Sequence, residues 1–141
     1  MTTTNSSIET TIEVAAPAAS IIAALTTEAG FRGWFTDAAT CDATYAAFPF
    51  KRPDEMRLVM FRIDHQDARG IAMTCTAEHN NPDWLGTQLA FSFEGNRVRV
   101  VHSGYRERNE SYEQYVAGWA YFLGSLKSYL ETGRGTPNVN A

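Results

Sequence analysis

The chain has 141 residues, 44% of them hydrophobic and 20% charged, a size for one globular domain whose core needs no disulfide or metal staple. Twelve basic against sixteen acidic side chains give a net charge of −4, which argues against nucleic acid as a partner. No apolar run approaches the ~20 residues of a membrane span, and the opening MTTTNSSIETT lacks the basic and apolar regions of a signal peptide, so a cytoplasmic location is expected.

Residues 1–7 and 134–141 read as flexible tails around a single domain. Ile8, Thr10, Ile12 and Val14 alternate with Glu9, Thr11 and Glu13, the period of a strand buried on one face. Pro17 suits the first turn of a short helix running to Leu25, with Ile21, Ile22 and Leu25 on one stripe. A second short helix, Glu28 to Phe35, presents Phe31, Trp34 and Phe35 and is loosened by Gly30 and Gly33.

Strands are then expected near 39–45, 56–64, 69–78, 85–94 and 97–104, with hairpin turns at Asp67 to Gly70 and at Glu94-Gly95-Asn96, where Gly and Asn tolerate positive φ. Leu89, Phe91 and Phe93 share one face, as do Val98, Val100 and His102, while Arg97 and Arg99 take the other. The result is an antiparallel meander with one wet and one dry face. On the strand near 56–64 the face assignment is ambiguous, because Val59, Phe61 and Ile63 oppose Leu58 and Met60. Phe48-Pro49-Phe50-Lys51-Arg52-Pro53 is the least readable stretch, since two prolines argue against a central strand.

The last element is the clearest. Tyr112, Tyr115, Val116, Trp119, Phe122, Leu123, Leu126 and Leu130 fall on one helical stripe. Ser111 with Gln114 gives a capping-box signature, and Gly133 and Pro137 end the helix. From Ser111 to Thr132 it would be on the order of 33 Å long. A stiff rod of that length laid across a twisted, concave sheet touches well at its ends and poorly at mid-span. Large rings such as Tyr115, Trp119 and Phe122 bridge part of the gap. Either they fill it completely, or an apolar cavity remains that could hold a small molecule.

Several segments together resemble the SRPBCC (START-like, Bet v-like) superfamily: Ile12-Glu13-Val14-Ala15-Ala16-Pro17, Leu25-Thr26 with Trp34-Phe35, and Pro82-Asp83-Trp84-Leu85-Gly86-Thr87. So do Val100-Val101-His102-Ser103-Gly104-Tyr105 and the run from Gly118-Trp119 to Gly133. Within it the chain looks most like the group of activator of Hsp-90 ATPase homologue-like, or polyketide cyclase-related, proteins. The resemblance spans about residues 8–137 and implies an α+β helix-grip fold. Such a fold has six to seven antiparallel strands wrapped around a long C-terminal helix, with two short helices after the first strand and a hydrophobic cavity inside. Six strands are readable here, and a seventh would fall near 45–55.

The first functional expectation is a small-molecule binding protein, monomer or homodimer, whose cavity between sheet and helix holds an apolar or aromatic ligand such as a lipid, polyketide or other ring compound. The residues expected to line it are Trp34, Phe61, Met73, Trp84, Phe91, His102, Tyr115, Trp119 and Phe122. The second is a cyclase- or hydratase-type enzyme in which His102, placed inward among apolar groups, exchanges protons with help from Tyr105 or Tyr115. The third is an interaction module resembling the Hsp-90 activator. No cofactor and no metal is expected: Gly-x-Gly-x-x-Gly, P-loop, His-Glu-x-x-His, Gly-x-Ser-x-Gly and Cys-x-x-Cys motifs are missing. Cys75 and His79 lack further ligands for zinc. Cys41 and Cys75 read as small buried hydrophobes, His65 and His79 as solvated, and Arg62, Arg97, Arg99, Arg106 and Arg108 as a wet sheet face.

Overall fold

A computed structural model describes residues 6–105 and 110–140. Seven strands form one antiparallel sheet in the order β1-β7-β6-β5-β4-β3-β2: β1 (Ser6–Glu13), β2 (Thr40–Cys41), β3 (Tyr45–Lys51), β4 (Met56–Asp67), β5 (Gly70–His79), β6 (Gln88–Glu94) and β7 (Arg97–Tyr105). Helices α1 (Ala18–Thr26) and α2 (Glu28–Trp34) follow β1, and α3 (Glu110–Thr132) ends the chain's regular structure. From β2 onward each strand pairs with the next, and β1 closes the order against β7, as Ile8↔His102 and Thr10↔Val100 show. This is the α+β helix-grip architecture expected from the sequence.

The alternation holds. Leu89, Phe91, Val98, Val100 and His102 face the core, while Arg97 and Arg99 reach solvent beside Glu13 and Glu9. The ambiguous strand resolves with Val59 and Phe61 inward; Arg62 lies outside, 2.7 Å from Asp64. His65 and His79 are exposed and Cys75 is buried, as expected, while Cys41 is half-exposed; neither cysteine forms a disulfide. Arg106 and Arg108 lie outside the described residues.

Five expectations need correction. The strand near 39–45 is two: a two-residue β2 and a separate β3, which runs through Pro49. Arg52 N–H donates to the Glu55 carbonyl at the β3–β4 turn, so by antiparallel alternation Phe50 and Phe48 bond toward β4 while Pro49 and Lys51 face away. There Lys51 N–H meets the side chains of Asn138 and Asn140, and β2 has already ended, so no ladder bond is lost at Pro49. Pro17 sits at the N-cap, one residue before the first turn of α1. The strand expected from residue 85 begins at Gln88, because Pro82–Trp84 forms a 3₁₀ turn and Gly86, at φ 82°, takes a left-handed conformation. Of the Gly95-Asn96 turn only the glycine has positive φ. Helix α3 begins one residue before Ser111, so Ser111 is not the cap, and its side chain lies outside the described residues.

The expected C-terminal tail is also tied down. Asn138 bridges to Thr36, Asn140 Nδ2 donates to Thr36 Oγ1 and Asp37, and Thr136 N–H donates to Ser125 Oγ, whose own hydroxyl bonds the Trp34 carbonyl.

The interior between sheet and α3 is filled by rings. Phe35 stacks on Trp119 at 5.4 Å and meets Phe48 edge-on at 4.9 Å; Phe91 lies edge-on to Trp34 at 5.5 Å and to Trp119 at 5.7 Å. Such edge-to-face and offset contacts add to area burial.

Candidate functional site

A pocket opens to one side of that ring cluster. A half-open pocket of about 330 Å³ is bounded by the β3–β4 hairpin, the 3₁₀ turn and the middle of α3. Phe35, Phe50, Trp84, Tyr115, Trp119 and Phe122 supply its aromatic walls; Arg52, Arg57, Asn81 and Gln114 supply polar groups; Ala117 and Gly118 form the helix side.

Each wall has a local cause. Phe50 and Arg57 are cross-strand partners in β3 and β4, hence on one face, and Arg57 shares the parity of the buried Val59 and Phe61. The pocket is therefore edged by an arginine on the dry side of the sheet. Trp84 is held by its turn: Thr87 N–H and Thr87 Oγ1–H both donate to the Trp84 carbonyl, at 2.9 and 2.6 Å, and Asn81 N–H donates to Glu78 Oε2 at 2.8 Å. Tyr115 Oη lies 3.1 Å from both Asn81 Oδ1 and Asp83 Oδ2, joining α3 to that turn. Gly118 leaves α3 bare at the pocket, since a Cβ there would meet nothing within 4 Å.

Of the nine residues expected to line a cavity, Trp84, Tyr115, Trp119 and Phe122 do so. Trp34, Phe61, Met73, Phe91 and His102 are fully buried and do not border the pocket. Trp34 has its indole N–H bonded to the Ala24 carbonyl at 2.8 Å and fastens α2 to α1. Sequence reasoning missed Phe35, Phe50, Asn81, Gln114 and the two arginines. For Arg57 the signal is readable only once β4 is paired: in Arg57, Val59, Phe61 the dry-face period begins on a charge.

His102 sits at the centre of a separate polar knot. Trp119 Nε1–H, which can only donate, lies 3.2 Å from Nδ1, and the Tyr105 hydroxyl donates to the same nitrogen at 2.6 Å. Nδ1 is therefore bare and the proton resides on Nε2, which donates to Thr87 Oγ1 at 2.8 Å. The Thr87 hydroxyl passes the chain on to the Trp84 carbonyl. Burial lowers the His102 pKa to about 3 and raises that of Tyr105 far above its ordinary range. At neutral pH both are uncharged, with every imidazole nitrogen engaged. The thiol of Cys75 is raised to about 11 by burial, which removes it as a nucleophile.

No group of three or more potential metal ligands gathers among the described residues, and none of their helices is long and apolar enough to cross a membrane. No family model matches the sequence, and no curated protein matches it. Solved structures do match. The Aha1 dimer from Colwellia psychrerythraea superposes with a TM-score of 0.71 at 24% identity, covering 92% of this chain and 99% of that one. The major latex-like protein 151 of Panax ginseng gives 0.68 at 11% identity, over 94% and 99%. DynU16, from the dynemicin biosynthetic locus, gives 0.69 at 19% identity over 95% of this chain, which spans about half of DynU16. At these identities the likeness is one of architecture. The chain has the helix-grip fold that these solved structures share.

Proposed function

We propose that the protein binds a small apolar or aromatic molecule in the pocket between α3, the β3–β4 hairpin and the Pro82–Trp84 turn. The observation that carries this reading is the pocket itself: about 330 Å³, walled by six aromatic rings and carrying few polar groups. That volume is at the small end for ligand sites and suits a two- or three-ring body better than a long lipid chain. Trp84, Tyr115, Trp119 and Phe122 form the contact surface, while Phe61, Phe91 and His102 back Trp84 and Trp119 from behind.

The alternative of acid–base catalysis by His102 gains nothing from its surroundings. A general base near neutral pH needs a pKa in that range and a route to substrate, whereas this imidazole is buried, saturated and depressed to about 3. Binding without turnover is the simpler assignment. Free Cys41 and Cys75 suit a reducing, cytoplasmic setting, and a monomer or homodimer remains the proposed state.

Gly118→Trp tests the proposal, because the helix has room at Cβ and the indole would occupy the pocket. Native mass spectrometry of the wild-type protein from cells should show a bound small molecule that the variant lacks. Apolar ring compounds should raise the wild-type melting temperature and not that of the variant. No bound species and no stabilisation by any such compound would refute the reading.

A further inference from the structure

The pocket's charge is at odds with the chain's. The protein is acidic overall, yet the lining contains two arginines and no carboxylate. Arg52 makes no ion pair among the described residues. Arg57 Nε is 2.9 Å from Glu55 Oε1, but its terminal amino groups have no hydrogen bond among them. Both residues stand on one hairpin, whose turn is closed by the bond from Arg52 N–H to the Glu55 carbonyl. Arg57 is also placed against the usual pattern, on the dry face at the end of the Val59–Phe61 run. A charge on a dry face is a local conflict, and such conflicts concentrate where function demands them.

We infer that the ligand is an amphipathic organic acid: a ring body against Phe35, Phe50 and Phe122, and one oxyanion headgroup directed to Arg52 and Arg57. Guanidinium forks match planar oxyanions with paired, charge-assisted bonds, and aromatic walls strengthen them by excluding water. The inference rests on the pocket reading above and adds the chemical class of its occupant.

Two fluorescent probes of matched body decide it: 8-anilinonaphthalene-1-sulfonate and its uncharged parent, N-phenyl-1-naphthylamine. The wild-type protein at low salt should bind the sulfonate at least about tenfold more tightly, as one charge-assisted contact supplies. The double variant Arg52→Gln/Arg57→Gln should bring the two affinities within about twofold while keeping that of the neutral probe, which also shows that the pocket is still folded. In the wild type, 1 M salt should erode the preference. Equal affinities in the wild type, or a preference that survives the double variant, overturns the inference and leaves the pocket reading standing. Failure of both probes to bind overturns the pocket reading, and this one with it.

Discussion

Trp119 and Trp84 stand between two polar regions that were built to opposite rules. On one side, His102, Thr87, Tyr105 and the Trp119 indole pass hydrogen bonds from one to the next until every donor and acceptor named in the knot is used. On the other, Arg52 and the terminal amino groups of Arg57 border open space without side-chain partners among the described residues. The first region is buried and complete, and chemically inert at neutral pH. The second is half-open and incomplete, so it can bond something else. A sequence search for reactive residues is drawn to the histidine. The structure shows that saturation of hydrogen bonds separates scaffold from site better than residue type does.

If that division is right, substitutions in the knot should cost stability and those at the pocket should not. The largest effect belongs to His102→Ala. It leaves Trp119 Nε1, the Tyr105 hydroxyl and Thr87 Oγ1 short of partners and opens a buried void, so a loss of about 3 kcal/mol or more is expected in urea denaturation. Thr87→Val, nearly isosteric, leaves His102 Nε2–H and the Trp84 carbonyl without the hydroxyl and should cost about 2 kcal/mol. A loss below 1 kcal/mol in both would mean that the knot is ornamental and the contrast between the regions false.

The histidine also makes a prediction in pH. Unfolded, His102 takes up a proton near its ordinary 6.5; folded, only near 3. Below pH 6.5 the unfolded state therefore holds more protons, and stability that is intact above 6.5 falls as pH drops toward 3. At a limiting slope of about 1.4 kcal/mol per pH unit, roughly 2 kcal/mol should be lost between pH 8 and pH 5. The depressed carboxylates, held down chiefly by hydrogen bonds, have ordinary values of 3.8 for Asp42, Asp64 and Asp67 and 4.5 for Glu9 and Glu131. Their contribution is lost only as pH falls below that range. The interval above pH 5 thus isolates the imidazole. His102→Gln should flatten the profile there, and an unchanged slope in that variant would place its origin elsewhere.

How much of this was legible beforehand differs by element, for physical reasons. The stripe on α3 and the alternation in β6 and β7 are one-dimensional records of a single buried face, and the chain carried them plainly. Strand β3 was hidden by Pro49, whose tolerance depends on β2 stopping after two residues, a fact about a neighbour rather than about the strand. The anchoring of residues 134–140 depends on Thr36 and Asp37, a hundred positions away. Arg57 escaped notice because β4 runs Leu58, Val59, Met60, Phe61 with no polar alternate, leaving its faces unassigned until β3 and β5 are paired to it. Rod-and-saddle geometry left open whether rings fill the space beneath mid-helix. Phe35 and Phe91 pack against Trp119 there, and a pocket opens beside the hairpin.

The smallest expected effect is the sharpest test of the division. Arg57→Met keeps most of the side chain's apolar stem against Phe50 and removes only the fork. The lost partner, Glu55, is itself part-exposed, at 33%, and can turn to water, so the pair contributes little to folding. Stability should change by less than about 0.5 kcal/mol, in either direction, because a charge leaves the edge of a dry face as an ion pair is lost. Binding of 8-anilinonaphthalene-1-sulfonate should nonetheless fall severalfold while that of N-phenyl-1-naphthylamine holds. A stability loss of 2 kcal/mol or more would instead put Arg57 in the same class as His102, a residue that the fold needs for its own sake, and the pocket would lose the feature that sets it apart from the knot behind it.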